Sequence, residues 1–142
     1  MKKIAICGSI KFSKEMVKVK SELKSIGIEA ILPLNIEEIS KDEKLLERSE
    51  NANRKAANNS IYVHYLEIDK SDAILVLNYD KNGIANYIGA NTFLEMGFAH
   101  VLDKPIYILN KLPDMDYIKD ELKAFRPIVL NGNLAALSHL FL

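Results

Sequence analysis

The sequence predicts a single α/β domain, doubly wound, with a five-stranded parallel sheet and helices on both of its faces. Five short apolar runs alternate with longer segments of helical periodicity, as in a parallel sheet whose strands are joined by crossover helices. A strand, a polar turn and an amphipathic helix open the chain in that order. With 142 residues and no internal repeat or low-complexity linker, residues 1–142 fit one domain that can bury a core without disulfides or metal.

The predicted strands are short, and glycine, proline or polar turn residues lie at their ends. They cover residues 3–8, 28–34, 73–78, 105–109 and 126–130. Gly27 precedes the second strand and Pro33 lies at its exit, while the turn Asp103-Lys104 precedes the fourth. Since the strands are parallel, we expect a ligand crevice beyond their carboxyl ends.

Helical periodicity fills the segments between these strands. The predicted helices cover residues 13–26, 60–70, the segment that follows a Gly/Asn-rich loop and ends at Leu102, 115–125 and 134–142. Residues 36–59 are rich in Lys, Glu and Asn, so we expect a charged, helical and solvated stretch there. The alternative, a surface that recruits a protein partner, would need a broad apolar stripe, which this stretch lacks.

Composition excludes several classes of partner. The 19 Lys and Arg residues balance the 19 Asp and Glu residues, so no polyanion-binding surface is predicted and a nucleic acid polymer is not an expected partner. The apolar run at the N-terminus is too short for a secretion signal, and we expect a cytoplasmic protein that contacts no membrane. Cys7 is the only cysteine, so no internal disulfide can form. It is predicted to be a small buried residue rather than a reactive thiol.

The turn after the first strand, Cys7-Gly8-Ser9-Ile10-Lys11, combines a glycine, a hydroxyl and a cation. Backbone N–H groups and a lysine in such a turn suit a phosphate or another small anion, so Gly8, Ser9, Ile10 and Lys11 are predicted to bind substrate. The alternative is a tight connection that needs glycine for geometry and serine for a cap. A dinucleotide fingerprint and a Walker pattern are both missing, and no cofactor is predicted.

One carboxylate, Glu95, lies in the otherwise apolar helical run 93–99, directly after the Gly/Asn-rich loop 82–91. An unpaired carboxylate loses several kcal/mol of hydration on burial, so Glu95 is paired, at the rim of a cavity, or retained for chemistry. We expect it in the first turn of its helix, where free N–H groups favour the ionised form that a nucleophile needs. The alternative is a cap or an ion pair at the start of a buried helix.

The histidines and the lone carboxylate limit the reactions that the sequence can support. The histidines His64, His100 and His139 are far apart and lack neighbouring ligands at metal-binding spacing, so no zinc or iron site is predicted. A single carboxylate can attack an anomeric carbon, which needs only a weak nucleophile. The groups expected to face Glu95 are polar or aromatic: Ser9, Lys11, His64, Asp80, Asn86, Tyr87 and Asn91.

The turn 7–11, the strand entry Ser71-Asp72-Ala73-Ile74-Leu75-Val76 and the run 93–99 together resemble the nucleoside 2-deoxyribosyltransferase superfamily, which includes 2'-deoxynucleoside 5'-phosphate N-hydrolases. The resemblance spans most of the chain in order and is weakest between residues 34 and 60. It implies a flavodoxin-like, Rossmann-like fold, a homodimer or larger homo-oligomer, and no metal or organic cofactor. It also implies cleavage of the bond between a sugar and a nucleobase.

By this resemblance, Glu95 matches the superfamily's nucleophile in the pattern Glu-x-Gly-x-Ala. The turn 8–11 is similar to the one that meets the 5'-phosphate in the nucleotide-hydrolysing branch. His64 stands where the superfamily has an Asp, eight residues before Asp72. A histidine there can bond a sugar hydroxyl or donate a proton, or be only a core or surface residue. The loop 88–92 lacks the Asp of the transferases and the Ser of the nucleotide hydrolases, which leaves specificity open.

We therefore expect Glu95 to attack C1' of a nucleoside or nucleoside 5'-monophosphate and expel the base, after which water or a second base takes the sugar. His64, Asp80 and Asn91 are the candidates to assist the leaving base, and Gly89 is predicted to bind substrate with Asp80 and Asn91. The tyrosines that can stack on a ring or orient Glu95 are Tyr62, Tyr65 and Tyr87. The competing reading is a nucleotide-binding or sensory module that holds its ligand without turnover.

Overall fold

A five-stranded, all-parallel sheet forms the centre of the chain, with strand order β2-β1-β3-β4-β5. The structure is a computed structural model that describes the backbone of residues 1–142 and the side chains of residues 1–50 and 60–142. The strands are β1 (Lys3–Cys7), β2 (Glu29–Ile31), β3 (Ala73–Val76), β4 (Ile106–Ile108) and β5 (Ile128–Val129). This is the strand order of flavodoxin-like doubly wound sheets, and the predicted fold class is confirmed.

Helices connect the strands. They are α1 (Ser13–Ser25), α2 (Ile36–Ser40), α3 (Glu43–Lys70), α4 (Ala90–Val101), α5 (Lys119–Ala124) and α6 (Leu137–Leu140). Short 3-10 turns cover Ile10–Phe12 and Leu134–Ala136. Among residues 1–50 and 60–142, no helix combines the length and the hydropathy that a membrane crossing requires.

The two faces of the sheet carry separate apolar layers, because successive residues of a strand point to opposite sides. In β1, Ile4 and Ile6 pack in one layer and Ala5 and Cys7 in the other. The first layer contains the buried residues Met16, Val19 and Leu23 of α1 and Leu137 of α6. The second contains Ile68 of α3, Met96 and Ala99 of α4, and Leu122 of α5. Helices α3 and α4 therefore share one face of the sheet.

The predicted strands are too long, most clearly β2 and β5. Strand β2 ends at Ile31 rather than at residue 34, since Pro33 has no N–H to continue the ladder. Strand β5 begins at Ile128 rather than at residue 126, because Arg126 adopts a positive φ of 53° that a strand does not accommodate. The other three strands are one or two residues shorter than predicted.

The charged region also differs from its prediction. A short helix, α2, ends at Ser40, and α3 then runs without a break to Lys70. Asp42 begins α3 as its N-cap, since its carboxylate accepts a hydrogen bond from the Lys44 N–H at 2.9 Å. Residues 43–50 are exposed or half-buried, as a solvated stretch requires, whereas the same prediction for the side chains of residues 51–59 lies outside the described residues.

The last two predicted helices are also shorter than expected. In place of a helix over 115–125, the chain forms a turn and then α5, with Met115 and Ile118 buried outside any helix. In place of a helix over 134–142, a 3-10 turn leads into the single turn of α6. Both segments still contribute apolar side chains to the core.

A buried asparagine fixes the loops beyond the carboxyl ends of β3 and β4. Asn78 is fully buried, and its amide nitrogen donates to the carbonyl oxygens of Asn110 and Lys111 at 3.1 and 2.9 Å. Its side-chain oxygen accepts from the Asn110 N–H at 2.9 Å. The side chain of Asn110 donates back to the Asn78 carbonyl at 3.2 Å. One side chain thus satisfies backbone groups of the neighbouring loop that would otherwise be unpaired.

We predict that Asn78→Ala lowers the free energy of unfolding by about 2–4 kcal/mol, because it leaves two carbonyls and one N–H of the β4–α5 loop without their partner. Urea unfolding followed by far-ultraviolet circular dichroism measures this change. Asn133→Ala is the control, since Asn133 is exposed and its side chain makes no capping bond. Equal stability of the two variants would contradict the role of Asn78.

Candidate active site

A cavity of about 410 Å³ lies beyond the carboxyl ends of β1 and β3. The connections after these two strands cross to opposite faces of the sheet, with α1 on one face and α4 on the other. This is the topological switch point at which doubly wound sheets bind ligands. Its volume lies within the range of small-molecule sites.

The carboxylate of Glu95 on α4 contacts the imidazole of His64 on α3. Glu95 Oε2 lies 2.6 Å from His64 Nε2, and the two side chains are 13% and 8% exposed. Two lone pairs at this distance would repel, so one proton lies between the two atoms. Both residues line the cavity, with Glu95 the more exposed of the two.

The position of Glu95 in its helix corrects one expectation. Helix α4 begins at Ala90, so Glu95 lies in its second turn rather than in its first. The free N–H groups of a helix start belong to its first turn and are not available to this carboxylate. The partner of Glu95 is instead the imidazole of His64. Glu95 therefore makes an ion-pair contact, as one of the two sequence-based interpretations expected.

Cys7 contacts the pair of His64 and Glu95 from the protein interior, behind the cavity wall. Its Sγ atom lies 3.4 Å from His64 Nε2, and the residue is fully buried at the end of β1. Burial raises the pKa of the Cys7 thiol well above its ordinary value, and the negative charge of Glu95 and a hydrogen bond to it raise this pKa further. The predicted burial of Cys7 is confirmed, but its contact with His64 was not foreseen.

A second polar cluster lies at the turn after β1. Lys81 Nζ donates a hydrogen bond to Ser9 Oγ at 2.9 Å and lies 5.3 Å from the centre of the Tyr87 ring. Ser9 Oγ also accepts from the Lys11 N–H at 3.3 Å. Ser9 therefore caps the 3-10 turn, as expected if the turn were only a tight connection. The same hydroxyl also accepts a hydrogen bond from the Lys81 ammonium at the cavity.

Close approach explains the glycine in this turn. A Cβ atom on Gly8 would lie 3.0 Å from the backbone oxygen of Leu77 and 3.1 Å from Cε of Met16. A Cβ atom on Gly89, at the start of α4, would lie 3.2 Å from the nearest atoms of the Tyr87 side chain. Both glycines let the backbone pack tightly at the cavity wall.

Most of the predicted site residues meet at this cavity. Those that line it are Gly8, Ser9, Ile10, His64, Tyr87, Gly89, Asn91 and Glu95. Lys11 is exposed and outside the lining, and Asp80 is used to shape the loop, where its carboxylate accepts from the Asn86 N–H at 2.9 Å. Tyr62 is largely exposed, and Tyr65 packs edge-on against Phe98.

Lys81 lines the cavity although the sequence did not single it out, whereas the predicted Lys11 does not line it. Nothing in the local sequence distinguishes Lys81 from other surface lysines, because its partner Ser9 lies 72 residues away along the chain. The only signal is its position in the loop after a buried strand, at the edge of the sheet where ligands bind.

No family model and no curated protein sequence matches this chain. The resemblance to nucleoside 2-deoxyribosyltransferases therefore stays a prediction.

We predict that the Cys7 thiol of the native protein reacts with a disulfide reagent at neutral pH at least about 100-fold more slowly than in the unfolded chain. Its raised pKa keeps it protonated and its burial requires the fold to open before attack. The absorbance of the released thiolate measures the rate, and the same protein in guanidinium gives the reference. Reaction at the same rate in both states would contradict the buried position.

Proposed function

We propose that this protein cleaves the N-glycosidic bond of a nucleoside or nucleoside 5'-monophosphate, with Glu95 as the nucleophile. The observation that supports this proposal is the carboxylate–imidazole pair at the wall of a cavity at the switch point of the sheet. A carboxylate there costs hydration, and it faces a space in which a small molecule can lie. Perturbed or paired titratable groups in such a cavity are typical of catalytic sites.

In the proposed first step, a Glu95 oxygen forms a bond to C1' while the bond from C1' to the base nitrogen breaks. The bonding electron pair leaves with the base, which then needs a proton. In the proposed step His64 supplies this proton. It enters as the imidazolium that donates its Nε2–H to Glu95, and it is left as a neutral imidazole once ester formation has removed the carboxylate charge. Water, or a second base, then attacks C1' and releases the sugar from Glu95.

The polar cluster around Ser9 supports a phosphorylated substrate. The Lys81 ammonium and the Ser9 hydroxyl lie next to the backbone of residues 8–10, and all of these line the same cavity as Glu95. A lysine and a hydroxyl beside backbone N–H groups at a strand-to-helix turn suit a phosphate dianion. We therefore favour the 5'-monophosphate over the nucleoside.

The proposal includes a homodimeric or larger assembly, as the resemblance implies, and a cytoplasmic location, as the N-terminal sequence predicts. Exposed apolar side chains support self-association: Leu34, which lines the cavity, is 58% exposed, and Tyr62 on α3 and Leu94 on α4 are 62% and 41% exposed. Where exposed apolar side chains form a contiguous patch, a partner typically covers it.

A binding module without turnover is the second candidate. One observation favours it: the carboxylate of Glu95 is already paired with an imidazole, as in a structural ion pair. In that case a nucleotide would occupy the cavity, and Glu95 would bond a sugar hydroxyl instead of attacking C1'. Tight binding of a nucleotide without release of its base would favour this candidate.

We predict that Glu95→Gln lowers the rate of base release by about 10³-fold or more, because the amide is not a nucleophile. The assay follows free base by chromatography with a panel of ribo- and deoxyribonucleosides and their 5'-monophosphates, with and without an acceptor base. Glu121→Gln is the matched control, since Glu121 is exposed on α5, and it should retain full activity. Base release by Glu95→Gln at the wild-type rate would refute the proposed nucleophile.

We predict that Lys81→Met raises KM for a 5'-monophosphate by about 10- to 100-fold and leaves KM for the matching nucleoside nearly unchanged. Loss of one charge-assisted hydrogen bond to the phosphate accounts for this difference. Lys11→Met distinguishes the lysine within the turn from Lys81, and we expect only a small effect from it, because Lys11 is exposed and outside the cavity lining. A large effect from Lys11→Met with none from Lys81→Met would reverse the assignment.

A further inference from the structure

A thiol, an imidazole and a carboxylate, each able to bind a metal ion, meet at the wall of the cavity. One ligand atom each from Cys7, His64 and Glu95 lies within 4.8 Å of the other two. They come from the end of β1, from α3 and from α4, so their proximity depends on the packing of both helices on one face of the sheet. The sequence predicted no zinc or iron site because no ligands lie at metal-binding spacing along the chain. Cys7 and His64 are 57 residues apart in sequence, and only the fold brings them together.

Two of the three ligand–ligand distances can be compared with those of a four-coordinate metal site, and the third, between Cys7 Sγ and a Glu95 oxygen, is at most 4.8 Å. Tetrahedral geometry with ordinary zinc bond lengths places a sulfur and a nitrogen ligand about 3.6 Å apart, and a nitrogen and an oxygen ligand about 3.3 Å apart. Cys7 Sγ and His64 Nε2 are already 3.4 Å apart. His64 Nε2 and Glu95 Oε2 are 2.6 Å apart and must separate by about 0.7 Å, as expected when a cation replaces the proton between them.

The donor set selects the kind of cation. A thiolate favours soft or borderline metals and disfavours Mg²⁺ and Ca²⁺, while imidazole and carboxylate are both common zinc ligands. One thiolate and one carboxylate also balance the two charges of a divalent cation. His64 and Glu95 line the cavity, which leaves a fourth position open to water or a ligand.

We propose that Cys7, His64 and Glu95 together bind a thiophilic divalent cation of the Zn²⁺ or Co²⁺ type. On binding, the thiol proton and the proton between His64 and Glu95 pass to water, and the cation forms bonds to Sγ, Nε2 and a carboxylate oxygen. The bound cation and the anomeric carbon of a substrate then compete for the same carboxylate. This competition rests on the proposed function, whereas the binding itself does not.

Titration of chelator-treated protein with Co²⁺ tests the binding, because a cobalt–thiolate bond gives a charge-transfer absorption in the near ultraviolet. We expect this band in the wild-type protein, displacement of Co²⁺ by Zn²⁺, and loss of the band in Cys7→Ser, which keeps nearly the same side-chain size. We expect Cys7→Ser and His64→Gln to weaken Zn²⁺ affinity by about 100-fold or more, since loss of a ligand exceeds the usual effect of a group that only supports one. His100→Gln is the matched control, because His100 is exposed at the other end of α4.

Circular dichroism confirms that each variant is folded before the titration is interpreted. Absence of the band in saturating Co²⁺, or equal Zn²⁺ affinity of wild type and Cys7→Ser, would overturn the site. If the wild type releases base, Zn²⁺ should raise KM without changing kcat, and an unchanged KM at a Zn²⁺ concentration that fills the site would overturn the competition. The cobalt titration uses no substrate, so failure of the proposed function would leave its result intact.

Discussion

The proposed chemistry depends on the contact between His64 and Glu95. It links α3 to α4 on one face of the sheet, and it satisfies a carboxylate that would otherwise lose hydration inside an apolar layer. Helix α3 leads into β3 and α4 follows it, so both helices lie on one face of the sheet beside this strand. The connection after β1 crosses to the other face, and the cavity lies where the two connections diverge. Were α3 to shift by one turn, His64 would leave Glu95 and the cavity would lose its pair of titratable groups.

Two polar clusters lie at the cavity. Cys7, His64 and Glu95 form a proton-sharing group, of which His64 and Glu95 line the cavity, while Ser9 and Lys81 form a cationic group at the turn after β1. A nucleoside 5'-monophosphate has matching parts, with an electrophilic anomeric carbon at one end of its sugar and a dianion at the other. The proton-sharing group offers sulfur, nitrogen and oxygen ligands, so a proton and the proposed metal cation are alternative occupants of one place.

Local sequence was enough to predict the sheet but not all of its boundaries or its site. Continuous apolar runs identified the five parallel strands, yet Pro33 and the positive φ of Arg126 shortened two of them. Glu95 was found because a carboxylate in an apolar helix is conspicuous from its neighbours alone. The contacts of Cys7 and Lys81 were missed because their partners lie 57 and 72 residues away, and only tertiary packing brings them together.

The most direct test of the central claim is intact-mass and peptide-mass spectrometry of a reaction quenched in acid during turnover. The account predicts a sugar or sugar-phosphate ester on the peptide that contains Glu95, and its absence when Gln replaces that residue. Release of base with an ester on a different residue, or with no ester in a quench fast enough to capture a single turnover, would contradict a glutamate nucleophile at this position.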